Sequence, residues 1–228
     1  MIIFAIDTAT VSASVAVLND DVVLYETIST VRKHHGEGLM PMIDHVVAAA
    51  GIRFPDVGLF AVTVGPGSFT GLRVGVSTVK GLALMNNTPV AAVSTLDALA
   101  AGVMPHSGTM CALLDAGRGD VYAALYKGMG NGEAVKMRDD VLVRPEPFLR
   151  SLTDGTVLFV GGGTIAYDDT IRSIMGARCT IAPPRCHVIR GSSVGAMGLK
   201  MFHEGDILKN EDLIPRYFRK SYAEENRC

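Results

Sequence analysis

The chain has 228 residues, of which 48% are hydrophobic and 19% are charged, and its formal net charge is −2. These values predict one large folded domain or two small ones and exclude a disordered chain. The small net charge argues against a protein that holds nucleic acid by a strongly basic surface, although RNA handled through a partner stays open. Apolar runs are too short to span a membrane, and the opening residues reach Asp7 too early for a secretory signal. We therefore expect a cytoplasmic protein without membrane association, whose cysteines are reduced thiols.

The N-terminal half predicts three strands followed by alternating helices and strands. Alternating apolar residues at 11–18 and the turn residues Asn19 and Asp20 indicate a hairpin. Apolar residues at helical spacing, ended by Gly51, indicate the first helix. The predicted strands are 2–7, 11–18, 22–28, 58–64 and 89–93, and the predicted helices are about 38–50, 71–84 and 94–102.

The C-terminal half repeats this order of elements. Its predicted strands are 109–115, 119–126, about 133–138, 156–160 and 178–182, and its predicted helices are near 145–152, 164–175 and 192–204. The repeat indicates an internal duplication, although the residues themselves do not repeat and the order could be accidental. Two such lobes would face each other across a cleft. We place them at 1–105 and 106–228, with the last helix as a candidate to pack back on the first lobe.

The densest motif is GPGSFTGLR at 65–73, between a predicted buried strand and a helix. Glycines in that position let backbone N–H groups approach an anion at a helix N-terminus. Thr70, however, stands where both the P-loop and the dinucleotide fingerprint require a glycine. The alternative is a tight turn that feeds the helix, with Ser68 or Thr70 as its N-cap.

Further aspartate and glycine turns follow the predicted strands. With the loop at 65–73 they suggest a nucleotide-shaped cleft between the lobes, although any tight turn selects the same residue types. The candidate residues of this cleft are Asp7, Thr8, Gly65, Gly67, Asp115, Gly161 and Gly162.

Two other patterns concern partners and metals. Gly71, Gly75 and Thr78 form a small-residue face on the second helix, which indicates a close neighbouring backbone, either this lobe's own sheet or a helix of another chain. His34, His35 and His45 lack the spacing of a metal site, and no Gly-x-Ser-x-Gly nucleophile motif is present. The residues alone therefore predict neither a metal site nor a catalytic constellation.

GPGSFTGLR, together with FAIDTAT at 4–10, HHGEGLMPMID at 34–44 and VSTLDALA at 93–100, resembles the TsaB (YeaZ) family. LLDAGRGDVYAALY and LIPRYFRK extend the similarity more loosely. The family belongs to the actin/Hsp70/sugar-kinase-like superfamily and is paralogous to TsaD. The resemblance implies an α/β, duplicated ribonuclease-H-like fold with two lobes.

The resemblance also implies a function. It predicts a non-catalytic accessory subunit that binds a TsaD-like catalytic subunit, which forms N6-threonylcarbamoyladenosine at adenosine 37 in tRNA. A TsaE-like ATPase would join the complex, and tRNA would be contacted only through it. In TsaD an HxxxH element holds a metal; the corresponding stretch here, 94–98, has no histidine, so metallopeptidase activity is not expected.

Family members pair through two helices that correspond here to about 38–50 and 71–84. The resemblance favours the partner-helix interpretation of the small-residue face, so Gly75→Leu is expected to abolish pairing while leaving the monomer folded. The implied interface residues are Leu39, Met42, Ile43, Val46, Gly71, Val74, Gly75, Thr78 and Leu82.

Two alternatives stay open. The chain could be an ATP-dependent phosphotransferase or ATPase that acts through the interlobe cleft, with ATP or ADP as its ligand; the accessory role requires no cofactor. The same helices could also form a homodimer when the partner is missing.

Overall fold

The computed structural model describes residues 1–30 and 35–219, without the side chains of 35–37. His34 and the side chain of His35 thus lie outside the described part. The chain divides into two compact units: Met1–Ala98 with Ile189–Tyr217, and Leu99–Val188 with the described residues after Tyr217. The boundary therefore differs from the predicted one after residue 105, because it falls within a helix and because the chain returns to the first unit at Ile189.

The elements follow the predicted order. The strands are β1 Ile2–Asp7, β2 Ala13–Asn19, β3 Val22–Ser29, β4 Val57–Gly65, β5 Val90–Ser94, β6 Ser107–Gly117, β7 Asp120–Met129, β8 Ala134–Val143, β9 Val157–Val160 and β10 Cys179–Ile181. The α-helices are α1 His35–Ala50, α2 Phe69–Leu84, α3 Thr95–Ala101, α4 Pro145–Arg150, α5 Gly162–Ala166, α6 Asp168–Met175 and α7 Gly191–Glu204. Short 3-10 helices are Phe54–Asp56, Gly176–Arg178, Pro184–His187 and Asn210–Asp212. The single helix predicted at 164–175 is two helices, separated at Tyr167.

The two units contain sheets of the same topology. The first sheet has the order β3-β2-β1-β4-β5 and the second the order β10-β9-β6-β7-β8. In each sheet the first three strands of the unit pair antiparallel and the later strands add in parallel. The predicted α/β fold with a duplicated strand order is confirmed. No helix in the described part of the chain is long and apolar enough to cross a membrane.

The first sheet is covered by helices on both faces. α7 lies on one face, where Gly195 approaches Leu18 and Ala5, and Gly198 approaches Ala61. Small residues on both sides allow the helix backbone to lie close to the strands. α1 and α2 pack on the other face over alternate residues of the same strands, such as Phe4 and Ile6. The last helix therefore belongs to the first unit.

Three predicted interface residues lie inside this core. Leu39, Ile43 and Val46 are 1%, 0% and 0% exposed, and all three pack against the first sheet. They are the inward stripe of an amphipathic helix, and the hydrophobic contacts they make are within the chain. Their assignment to a partner interface is wrong.

The small-residue face of α2 also packs within the chain. An ideal Cβ built on Gly71 would lie 2.0 Å from the Thr8 carbonyl oxygen, and one built on Gly75 would lie 2.3 Å from Thr8 Oγ1. Thr8 Oγ1 donates a hydrogen bond to the Gly71 carbonyl oxygen at 2.7 Å. The partner-helix interpretation of Gly71 and Gly75 is therefore wrong, and Gly75→Leu would disrupt the monomer itself.

The two glycines Gly75 and Gly81 of α2 provide a matched test of this packing. We expect Gly75→Ala to lower the free energy of unfolding by about 1–3 kcal/mol, because the new Cβ overlaps the buried Thr8 side chain. Gly81→Ala has no atom within 4 Å of its Cβ, and helix propensity alone should raise stability by about 0.5–1 kcal/mol. Urea unfolding of both variants measures the difference. A Gly75→Ala protein as stable as Gly81→Ala would contradict the packing.

Candidate functional site

Asp7 ends β1 and is the most perturbed acid of the first unit. Its side chain is 0% exposed, and its Oδ1 accepts hydrogen bonds from Thr63 Oγ1 at 2.7 Å and from the Ala9 amide at 3.1 Å. Its Oδ2 has no hydrogen-bond partner among the described residues. Burial raises the pKa of Asp7 to about 7, while the two hydrogen bonds oppose that rise. Asp7 is thus a carboxyl that the fold favours in its protonated form.

The segment between β4 and α2 packs directly on the turn that follows Asp7. The Ser68 amide donates to the Ala9 carbonyl oxygen at 2.7 Å, and a Cβ on Gly67 would lie 2.3 Å from that same oxygen. Ser68 Oγ accepts from the Gly71 amide at 3.2 Å, so Ser68 is the N-cap of α2. The glycines of this motif therefore serve close contacts within the chain.

Gly65 has a similar explanation. Its φ of 127° lies in the region that favours glycine, and a Cβ there would lie 2.4 Å from the Arg216 carbonyl oxygen. The Arg216 amide donates to the Val64 carbonyl oxygen at 2.7 Å, which fixes the C-terminal segment along the end of β4. Asp7, Thr8, Gly65 and Gly67 are thus brought together, but their neighbours are atoms of the same chain.

The fold family implies a nucleotide with a divalent cation, so the fit of the β1–β2 turn to such a ligand matters. Asp7 is sealed from solvent, and the Ala9 amide is already bonded to its carboxyl. The Thr8 hydroxyl is bonded to Gly71. A phosphate bound to backbone N–H groups requires them to be free and accessible. These residues of the first unit do not fit a phosphate group or its cation.

The second unit holds the remaining cleft candidates. Asp115 lies near the end of β6 and is exposed, and its Oδ1 accepts from the Gly117 amide at 2.9 Å. Gly161 follows β9, the parallel neighbour of β6, and its amide donates to His187 Nδ1 at 3.0 Å. Burial lowers the pKa of His187, which favours the neutral ring that accepts this bond. Gly162 has open space around its Cα, with no atom within 4 Å of a Cβ. The residues described include no group of three or more His, Cys, Asp or Glu that could hold a metal.

A different surface of the first unit is unusual in composition. The α1–α2 surface is the solvent-facing side of these two helices, and it is rich in apolar and small residues, with the exposed acid Asp44 between Met40 and Ala48 on α1. Arg73 and Lys80 are the only charged residues in α2, and α1 contains no Lys or Arg. Leu84 is 73% exposed and Met40 is 48% exposed. The exposed members of the surface include Met40, Asp44, Ala48, Ala49, Ser77, Gly81 and Leu84, with Met42, Val74, Thr78 and Leu82 half-buried at its margin.

Sequence reasoning predicted an interface on α1 and α2 and included the apolar stripes that these helices bury in the core. Met42, Val74, Thr78 and Leu82 remain accessible, and they stay predictions. The exposed residues Ser77, Gly81 and Leu84 of α2 were not among the predicted interface residues. A usable signal was present, because α2 is apolar or small on nearly every side, which is typical of a helix with neighbours on both faces.

The buried carboxyl of Asp7 predicts a pH-dependent stability. The pKa is 3.8 in the unfolded chain and about 7 when folded, so the folded state retains the proton more tightly. Stability should therefore fall as pH rises between these values and level off above the higher one. Asp7→Asn mimics the protonated acid and does not titrate. Its free energy of unfolding relative to that of the wild type should therefore rise by a few kcal/mol from about pH 4.5 to about pH 8.5.

The measurement is urea unfolding of the wild type and Asp7→Asn at both pH values. The cost of burying the amide of Asn is the same at both pH values, so it cancels when the stability difference at one pH is subtracted from that at the other. Asp115→Asn at the exposed counterpart turn is the matched control, and it should show little such gain. An equal difference between wild type and Asp7→Asn at both pH values would refute the assignment.

Comparison with known proteins gives a consistent family. Residues 28–226 match the family model described as "TsaD: tRNA N6-adenosine threonylcarbamoyltransferase". The chain is 32% identical to the tRNA threonylcarbamoyladenosine biosynthesis protein TsaB of Bacillus subtilis, over 98% of this chain and 96% of that protein. It is 31% identical to the TsaB protein of Escherichia coli, over the same shares of both chains.

Solved structures agree with this match at the level of the fold. YeaZ from Pseudomonas aeruginosa superimposes with a TM-score of 0.83 at 24% identity, covering 95% of this chain and 99% of that chain. The ROK hexokinase from Thermus thermophilus reaches a TM-score of 0.51 at 10% identity, covering 90% and 99%, which indicates the sugar-kinase-like fold alone. The extent of identity over nearly the whole chain shows that this chain belongs to the TsaB (YeaZ) family, whose duplicated α/β fold is of the sugar-kinase-like type.

Proposed function

We propose that this chain is a non-catalytic accessory subunit in the formation of N6-threonylcarbamoyladenosine in tRNA. It would bind a TsaD-like catalytic subunit through the α1–α2 surface. The relatives named TsaB are tRNA threonylcarbamoyladenosine biosynthesis proteins, and the matching family model is named after the threonylcarbamoyltransferase TsaD. The observation that carries the proposal is the largely apolar and small-residue composition of an exposed helix pair.

The physical case for binding rests on burial of this surface. An exposed apolar patch rimmed by polar groups is typical of a protein–protein interface. Ser77 and Gly81 allow a partner backbone to approach, and Leu84 adds apolar area that is otherwise left in water. The exposed charged side chains here are Asp44 on α1 and Arg73 on α2, and each would need a partner group when a second helix packs over it. α1 and α2 are also anchored to one sheet, so the surface needs no rearrangement to bind.

The accessory role has its own support in the residues at the start of α3. Ser94 Oγ accepts hydrogen bonds from the amides of Leu96 and Asp97 at 3.2 and 3.4 Å, so it acts as a helix cap. The resemblance to the family matches this stretch to the metal-binding HxxxH element of TsaD, and residues 94–98 contain no histidine. Catalysis would therefore reside in the partner. A TsaE-like ATPase, indirect contact with tRNA, a homodimer in isolation and a cytoplasmic location are further parts of the proposal.

The alternative, a phosphotransferase or ATPase, is favoured by the fold shared with the ROK hexokinase. It requires an accessible phosphate site at the β1–β2 turn. The contacts of Thr8 and Ala9 with the β4–α2 segment argue against it. Turnover of Mg·ATP by the isolated chain would support this alternative over the accessory role.

Ser77→Arg tests the α1–α2 surface. This change places a long cation in the middle of α2, where the serine is exposed and the monomer should tolerate it. Sedimentation velocity of the chain mixed with the TsaD-like subunit of the same organism should show a 1:1 complex for the wild type, displacing any homodimer. Ser77→Arg should weaken the complex about tenfold or more, because a charge without a partner would be buried.

Ser173→Arg is the matched control, since Ser173 is also an exposed helical serine but lies in the second unit. It should pair like the wild type. Absence of a wild-type complex would contradict the accessory role. Equal pairing by Ser77→Arg and Ser173→Arg would contradict the assigned surface.

A further inference from the structure

Arg73 is held in one orientation at the edge of the α1–α2 surface. Its guanidinium carbon lies 3.9 Å from the centre of the Phe69 ring, one helical turn earlier. Its Nε donates a hydrogen bond to the Tyr217 hydroxyl at 2.9 Å. The rings of Phe69 and Tyr217 are themselves 4.7 Å apart. The arginine is thus fixed by a cation–π contact on one side and a hydrogen bond on the other.

Tyr217, the second residue that holds Arg73, lies near the end of the described chain, but the segment before it is firmly anchored. Leu213 is fully buried in the core of the first unit. The Arg216 amide pairs with the Val64 carbonyl oxygen at 2.7 Å. Lys80 Nζ donates to the carbonyl oxygens of Glu211 and Leu213 at 3.2 and 3.0 Å, so the segment before Tyr217 is tied to α2.

The outer edge of the Arg73 guanidinium is nevertheless unused. Arginine has five N–H donors, and among the described residues only the one on Nε is engaged. Within the described residues no carboxylate pairs with Arg73, whereas Arg172 pairs with Asp168 and Arg190 pairs with Glu26. The four remaining N–H groups form a planar fork that matches a carboxylate. Because the side chain is already ordered, binding would cost little further conformational entropy.

We propose that Arg73 is the charged anchor of partner binding and forms a bidentate pair with an Asp or Glu side chain of the catalytic subunit. This inference rests on the proposed function and adds the chemistry that the partner must present. α2 contains cations and no acid, so its surface is complementary to an acidic residue. Lys80 already donates to two backbone carbonyls, which leaves Arg73 as the cation of α2 with a free fork.

A phosphate of tRNA is the other group that could occupy such a fork. Binding of nucleic acid usually requires several cations along a groove. The neighbours of Arg73 on α2 are Val74 and Ser77, and the C-terminal segment adds one exposed cation, Arg216, together with the exposed acids Glu211 and Asp212, so no run of cations forms here among the described residues. These surroundings favour one carboxylate within a protein interface.

The test compares three variants in binding to the TsaD-like subunit of the same organism, measured by titration calorimetry at about 0.05 M and about 0.5 M NaCl. Arg73→Met keeps the packing of the side-chain stem and should raise Kd about tenfold or more at low salt, with a smaller loss at high salt. Arg73→Lys keeps the charge without the fork and should fall between Arg73→Met and the wild type.

Tyr217→Phe keeps the ring but removes the hydrogen bond to Nε, so it tests Tyr217 as a positioning residue. It should raise Kd by a few-fold only, and the loss should disappear in an Arg73→Met background. Lys200→Met on α7, on the other face of the first sheet, is the matched control and should bind like the wild type. Thermal unfolding of each variant checks that the fold is retained.

The partner's acid can be identified by changing each Asp and Glu of its contacting helices to Asn or Gln. One of these changes should lose its effect when combined with Arg73→Met, and that coupling would support the pair. Arg73→Met within twofold of the wild type, while Ser77→Arg still prevents pairing, would overturn the anchor and leave the proposed function intact.

Two further outcomes are decisive. Normal heterodimer formation by Arg73→Met, with weaker tRNA binding by the assembled complex, would assign the fork to phosphate and overturn the carboxylate. Absence of any wild-type complex would overturn the proposed function and this inference with it.

Discussion

The packing of α2 on the turn after β1 is the contact on which the first unit depends. Thr8 donates to the Gly71 carbonyl oxygen, and its own oxygens leave no room for a Cβ on Gly71 or Gly75. Each interior glycine costs a helix about 1 kcal/mol relative to alanine, so the close packing must offset that loss. The same packing buries Asp7 completely, and this burial raises the pKa of its carboxyl to about 7. A loop that resembles an anion site in sequence is thereby closed by its own chain.

This inward packing determines what α2 presents to the outside. With Gly71 and Gly75 against the turn, Ser77, Gly81 and Leu84 face solvent beside α1. The C-terminal segment then crosses the helix and leaves Tyr217 over Phe69 and Arg73. An apolar surface whose edge holds one ordered arginine, with no carboxylate partner in the described part of the chain, is the arrangement that we assign to partner recognition. Apolar area would supply most of the affinity there, and the arginine would supply specificity.

The sequence predicted most elements within a few residues because their apolar periods are clear. β1 is a continuous apolar run, and α1 has inward residues at Leu39, Ile43 and Val46. The break between α5 and α6 was not predicted, since Tyr167 is neither proline nor glycine, although Asp168 and Asp169 signal a new helix start. The boundary of the units was misplaced because nothing local in residues 95–101 records that α7 returns to the first sheet.

The sequence by itself determined the element order, the duplicated fold and, through GPGSFTGLR, the family. Only the tertiary structure decided which residues are available to a partner. Gly71 and Gly75 permit any backbone to approach, and a helical period cannot distinguish a backbone of the same chain from that of another. The distinction depends on contacts between residues far apart in sequence, such as Thr8 with Gly71 and Arg73 with Tyr217. Such contacts exist only once the chain has folded.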